Sequence, residues 1–113
     1  MNDCLFCKIS RKEIPADVIF ENEEYIVFRD VHPVAPVHVL LIPKKHIENM
    51  ATLAQDSNLS AGAMKLIAQT AESLNLNSMG YRVVNNTGQH GGQTIFHVHF
   101  HIIGGRHLAW PPG

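Results

Sequence analysis

The sequence predicts an α+β domain: an antiparallel sheet of about five strands, one long helix across a face, and a short helix at the N-terminus. Three observations carry this. Short runs of β-branched and aromatic residues fall before and after a single long segment of helical period. Pro, Gly and Asn punctuate the runs cleanly. Strands and helices do not alternate one for one, which argues against a doubly wound parallel sheet.

Taken in order, residues 4–13 (CLFCKISRKE) read as a short helix ended by Ile14-Pro15, because the residue before proline avoids the α region. Residues 18–21 and 25–29 form a hairpin around Asn22-Glu23-Glu24. Residues 30–36 are a loop holding two prolines. The run 37–42 is apolar enough to be covered on both faces or to lie mid-sheet. Residues 57–75 are the long helix, with Leu59, Ala63, Leu66, Ile67, Thr70, Ala71 and Leu74 on one stripe. Asp56 or Ser57 caps its start and residues 77–80 supply its stop. Two further strands follow, at 81–85 and 95–103, and the tail from His107 to Gly113 has no period.

The 113 residues make one domain, 1–113. A chain of this size hides roughly two-thirds of its unfolded surface and can hold a core. Nine Lys+Arg against ten Asp+Glu give a formal charge of −1, so no basic surface for a nucleic-acid backbone is expected. No apolar run approaches the ~20 residues of a membrane span, and the opening residues lack a signal-peptide pattern. The expected location is cytoplasmic. There, Cys4-Leu5-Phe6-Cys7 points to metal binding or redox chemistry more than to a structural disulfide.

Eight histidines are present, and three of them define the informative segment, Ile95-Phe96-His97-Val98-His99-Phe100-His101-Ile102-Ile103. On a strand, His97, His99 and His101 share one face at ~7 Å intervals, while Phe96, Val98, Phe100 and Ile102 take the core face. Packing explains the apolar set but not the histidines. Mutual repulsion keeps some of them neutral at pH 7, and a neutral imidazole offers a lone pair to a metal or an electrophile.

Two chemistries compete. The three histidines could ligate one zinc and leave a fourth position for water. Alternatively the middle one attacks phosphorus while its neighbours orient it and stabilise phosphoryl oxygens. The surroundings favour phosphorus. Gly91-Gly92-Gln93-Thr94 leads into the segment with glycines that let backbone N–H groups approach an anion, and Asn86 adds a neutral hydrogen bonder. The last acidic residue of the chain is Glu72. A zinc hydrolase usually wants a carboxylate nearby, whereas a phosphate pocket gains from having none.

The run from His97 to Ile103 resembles the histidine-triad motif, His-φ-His-φ-His-φ-φ with φ apolar. Lys12-Glu13-Ile14-Pro15-Ala16, Phe28-Arg29-Asp30, Pro36-Val37-His38, Ile42-Pro43-Lys44-Lys45-His46, Gly91-Gly92-Gln93, Gly104-Gly105-Arg106 and Trp110-Pro111-Pro112-Gly113 extend that likeness to the nucleotide-binding (Hint) branch of the superfamily, over nearly the whole chain. The resemblance implies hydrolysis of purine nucleoside 5′-phosphoramidates with no cofactor required for catalysis. It makes His99 the nucleophile, forming a nucleotidyl-histidine; His101 binds phosphate oxygens, His97 supports the geometry and His38 sits behind the nucleophile. Gly92, Gln93 and Thr94 would line the phosphate and leaving-group side, and Asn86 the ribose–phosphate side. Asp30 would bond the ribose hydroxyls, and Ile14, Phe28 and Val31 would sandwich the base. The residue-level alternative for Asp30 is a turn cap before His32-Pro33. Partners implied are purine nucleoside monophosphate derivatives and a second copy of the chain, with Trp110 a contact to that copy or to its own domain. Alternatives are a purine nucleotide-binding or regulatory protein with weak catalysis, and a dinucleoside polyphosphate hydrolase.

Cys4-x-x-Cys7 departs from many Hint members and resembles other members of the superfamily, which implies a structural zinc on Cys4, Cys7, His46 and His97. The competing reading makes the cysteines small buried hydrophobes one helical turn apart.

Overall fold

The computed structural model describes residues 3–113. Its elements are α1 (Leu5–Ser10), β1 (Val18–Glu21), β2 (Tyr25–Arg29), β3 (Val37–Pro43), α2 (Met50–Leu53), α3 (Ser57–Ser73), β4 (Tyr81–Val84) and β5 (Phe100–Gly104). The strands form one sheet in the order β1-β2-β3-β5-β4, and every neighbouring pair is antiparallel. This is the predicted α+β architecture, with the short helix α2 as an unpredicted addition.

β3 is the central strand and is buried from His38 onward, as its apolar density requires. On one face, Val27, Val39, Leu41, Phe100 and Ile102 pack under the Leu59, Ala63, Leu66 and Ala71 stripe of α3. On the other, Ile26, Phe28, Leu40 and Ile42 meet Phe6 and Ile9 of α1. The sheet therefore separates two cores, and α1 covers the face that carries the histidines.

Both long-range helix ends close the same way. Asp56 caps α3 by accepting from the Leu59 N–H at 2.9 Å. α3 stops at Ser73, earlier than residues 77–80, because Asn75 turns left-handed (φ 61°) and Leu76 N–H donates to the Ala71 carbonyl at 2.9 Å. That is a Schellman stop, and Leu76 re-enters the core behind it. α1 ends at Ser10 through the same device, with Lys12 at φ 64° and Glu13 N–H on the Lys8 carbonyl at 2.9 Å. The turn comes before Ile14-Pro15 can act as the breaker.

The largest correction concerns residues 95–103. Only Phe100–Gly104 is strand; residues 95–99 are irregular. β3 ends in Pro43, which has no N–H for a ladder, and β4 ends at Val84, so nothing flanks the earlier residues. They are pinned individually instead. Val98 N–H donates to Ile47 O at 2.6 Å, and Asn85 Nδ2 donates to the His99 carbonyl at 3.0 Å. Without strict alternation Phe96 leaves the core face and is 53% exposed, while Val98, Phe100 and Ile102 remain buried on it.

Candidate active site

The three histidines are brought to one side of the sheet, but each is held differently. His97 is fully buried, and its Nε2 donates to the Pro43 carbonyl at 2.7 Å. A carbonyl only accepts, so the proton sits on Nε2 and Nδ1 keeps its lone pair. Burial, followed by the charges of His46 and His99, pushes the ring down to about 4 against the bond to Pro43, so it is neutral.

His99 follows the opposite assignment. Its Nδ1 lies 2.9 Å from the His97 carbonyl oxygen, which places the proton on Nδ1 and leaves Nε2 as a lone pair. The ring packs edge-on against Phe6 at 5.0 Å and lies 5.2 Å from His101. A carbonyl of the same segment thus fixes the tautomer that a nucleophilic Nε2 needs.

A short relay sets the third ring. Val34 N–H donates to His38 Nδ1 at 3.1 Å, so His38 is protonated on Nε2. That Nε2–H meets His101 Nδ1 at 2.8 Å, and His101 is left with its proton on Nε2. Burial, then His99 and His38, push His101 down to about 4 despite Asp30. Burial likewise lowers His38, again against Asp30. The pair is neutral at pH 7. The outcome is one ring offering a lone pair beside one ring offering an N–H.

His38 therefore stands behind His101, not behind His99 as the resemblance implied. The zinc reading of the triad also loses its geometry, since His97 gives Nε2 to the Pro43 carbonyl and Nδ1 to the side of Cys4 and Cys7, and its ligand atoms group with theirs and not with those of His99 and His101.

The remaining candidates divide. Asp30 Oδ1 accepts from His32 N–H at 2.8 Å, the turn cap anticipated as the plainer reading, while Oδ2 lies 3.4 Å from His38 Nε2. Ile14 and Phe28 share the cluster around Phe6, but Val31 is 83% exposed and stands apart from it. The Gln93 side chain is buried and turned into the loop: Nε2 donates to Glu48 O and Ile95 O, and Oε1 accepts from Gly88 N–H. Its amide braces the glycine loop and has little left for a ligand. Gly92 (φ 78°) and Thr94 are exposed at the loop rim. A Cβ at Gly91 would collide with the Thr87 carbonyl oxygen, so this close crossing needs glycine. Asn86 lines a cavity of about 460 Å³ on the triad's face of the sheet.

Three contributors were invisible in the sequence. Asn85, next to the candidate Asn86, holds the His99 carbonyl, and its Oδ1 accepts from Thr87 Oγ1 at 2.7 Å. Phe6 packs edge-on to both His97 and His99. Pro43 sets the His97 tautomer through its carbonyl. The only sequence cue for Phe6 is its place between the two cysteines.

The family comparison agrees with this arrangement: the HIT domain family matches residues 11–108. The chain belongs to the HIT domain family. A HIT family hydrolase from Legionella pneumophila Philadelphia 1 is 46% identical, with TM-score 0.94 over 98% of this chain and 100% of that one. A histidine triad nucleotide-binding protein from Candida albicans is 30% identical, with TM-score 0.84 over 96% of this chain and 83% of that one. An uncharacterized HIT-like protein of Synechococcus elongatus is 46% identical over 111 residues, 98% of this chain and 97% of that protein.

In this HIT chain the cysteine motif is joined to the triad. Cys4 Sγ and Cys7 Sγ lie 3.3 and 3.5 Å from His97 Nδ1, and Cys7 Sγ lies 3.3 Å from His46 Nδ1. One ligand atom from each of the four residues falls within 4.8 Å of the others. Tetrahedral zinc with bonds of about 2.3 Å to sulfur and 2.05 Å to nitrogen would put S and N about 3.6 Å apart. The His97 lone pair already faces the sulfurs, with its other nitrogen held by a carbonyl as a metal-bound imidazole requires. The donor set fits zinc.

Proposed function

We propose that this protein is a hydrolase of purine nucleoside 5′-phosphoramidates, acting through a covalent nucleotidyl intermediate on His99. The observation that carries the reading is the fixed pair of tautomers, a lone pair on His99 Nε2 beside an N–H on His101 Nε2. His99 Nε2 attacks phosphorus as the P–N bond breaks, and the leaving nitrogen takes a proton from solvent and departs as the neutral amine. His101 Nε2–H stabilises the charge gathering on a phosphoryl oxygen. Water then attacks the same phosphorus, releases the nucleoside monophosphate and restores the imidazole. Both rings next to His99 are neutral at pH 7, so neither repels a protonating leaving nitrogen. The hydrolase and nucleotide-binding relatives from Legionella and Candida support the class of reaction.

Around this centre Asp30 would take the ribose hydroxyls, Ile14, Phe28 and Val31 the base, and Asn86, Gly92, Gln93 and Thr94 the phosphate side. Gln93 does so by shaping the loop. Cys4, Cys7, His46 and His97 would hold a closed, four-coordinate structural zinc that ties α1 to the triad and supplies no chemistry to the substrate. The reading includes a cytoplasmic, reducing location and a homodimer. β4 is an outer strand of the sheet, and its Tyr81 and Val83 line, with Met64 of α3, an apolar groove of about 570 Å³. Trp110 is 82% exposed and does not pack on its own domain, which favours a role toward a second copy.

Rapid alkaline, denaturing quenching of protein mixed with radiolabelled adenosine 5′-phosphoramidate tests the reading. A labelled, acid-labile adduct on wild-type protein and none on His99→Ala is expected, with AMP binding retained by the variant. Faster turnover of diadenosine polyphosphates than of any phosphoramidate would favour that alternative substrate class, and AMP binding without turnover would favour a regulatory protein.

A further inference from the structure

The chain has four arginines, and they fall into two pairs. Arg11 lies 2.6 Å from Glu13 and Arg29 lies 3.3 Å from Asp17. Among the described residues, no carboxylate lies within ion-pair distance of Arg82 or Arg106, and no acidic side chain follows Glu72 in the chain. Both guanidiniums nevertheless line the single cavity of about 460 Å³ that also contains Asn86.

The register fixes where that cavity lies. On β4, Val84 stands opposite His101 and Arg82 opposite Ile103, while His38 of β3 pairs with Ile103 from the other side. Residues directly opposite share a face, so Arg82 and Val84 flank the His101–His38 pair on the triad's side of the sheet. Arg106 reaches the same space from beyond β5 and is anchored by Nη2 on the Val34 carbonyl at 2.8 Å. Val34 is also the residue whose N–H sets the His38 tautomer. Arg82 is anchored by Nη2 on the Leu108 and Ala109 carbonyls. Each guanidinium is thus held in place by backbone oxygens while other N–H groups remain to donate. The remaining walls are largely apolar, including Val84, Ile103 and Leu108, and Pro112 and Gly113 of the tail complete them.

We infer that this cavity, which shares Asn86 with the phosphate side, receives the leaving group in place of the Gly92–Thr94 side that the resemblance implied, and that the preferred leaving amine carries a carboxylate held by Arg82 and Arg106. Two fixed guanidiniums without carboxylate partners suit an anion, and apolar walls suit the carbon frame of an amino acid better than a chain of phosphates. The inference rests on the phosphoramidase reading and deepens it. The bonds are unchanged: His99 Nε2–P forms as P–N breaks, the leaving nitrogen takes a proton from solvent and departs as an amine with its carboxylate intact, and water then cleaves the adduct.

The test compares adenosine 5′-phosphoramidates of alanine and of alaninamide, equal in size and differing in one charge. Wild-type protein should favour the alanine compound by about tenfold in kcat/KM, with the ratio shrinking as salt is raised. In Arg106→Gln and Arg82→Gln the ratio should fall toward one, and Arg106→Lys should retain part of it. The wild-type ratio needs no variant to fold. Turnover of both compounds at equal efficiency overturns the inference and leaves the phosphoramidase reading standing; turnover of neither overturns both. A wild-type preference that survives Arg106→Gln and Arg82→Gln, or faster cleavage of diadenosine tetraphosphate than of either amine compound, also overturns it.

Discussion

Acidification separates a neutral, buried His101 from an ordinary surface histidine. In the folded chain His101 is held at about 4 by burial first, then by His99 beside it and His38 behind it, with Asp30 opposing. The unfolded chain binds that proton near pH 6.5, so unfolding takes up a proton throughout the interval between the two values. Stability is therefore complete above about pH 6.5 and declines as pH falls toward the folded value. For this pair of values, linkage gives a loss of about 2.5 kcal/mol at about pH 4.5 relative to about pH 7.5. The ring's partial opening to water reduces the expectation to roughly 1.5–2.5 kcal/mol. Urea unfolding of wild type and His101→Asn at both pH values isolates this contribution, because carboxylate titrations common to the two proteins cancel. Wild type should lose about 2 kcal/mol more than the variant across the interval. Losses equal to within about 0.5 kcal/mol would refute the neutral assignment, and with it the lone pair that His101 Nδ1 offers to His38.

Asn85→Ala removes the donor on the His99 carbonyl; kcat should fall by about tenfold, as expected for one positioning hydrogen bond, in steady-state assays with a phosphoramidate. Gly104→Ala would place a Cβ 2.8 Å from Leu76 Cδ2, and denaturant unfolding should show a loss of about 1–3 kcal/mol, partly restored by Leu76→Val. Protein purified without chelators should hold about one zinc per chain by elemental analysis. Cys7→Ser should lose that zinc, and its Tm should fall with it.

The strands and the long helix were legible because their signals are local: β-branched runs between breakers, and an unbroken stripe from Leu59 to Leu74. The helix ends were less so, because a left-handed Asn75 or Lys12 is decided by where the chain goes next. The triad's residues were legible and its mechanics were not. Alternation along 95–103 supposed a partner strand on each side, and Pro43 together with the short β4 removes both from residues 95–99. The hydrogen bonds that choose tautomers come from a carbonyl at His97, a carbonyl at Pro43 and an amide at Val34. Backbone atoms are common to all residue types, so no residue letter announces them. Gln93 misled in the opposite sense, since a polar residue in a glycine loop looks like a ligand contact and here faces inward.

His97 serves two masters through two different atoms. Its ring meets Cys4, 93 positions earlier in the chain, and its carbonyl oxygen meets the ring of His99. The start of α1 and the nitrogen proposed to react are consequently separated by a single amino acid. A change at Cys4 therefore reaches the ring of His99 through one residue.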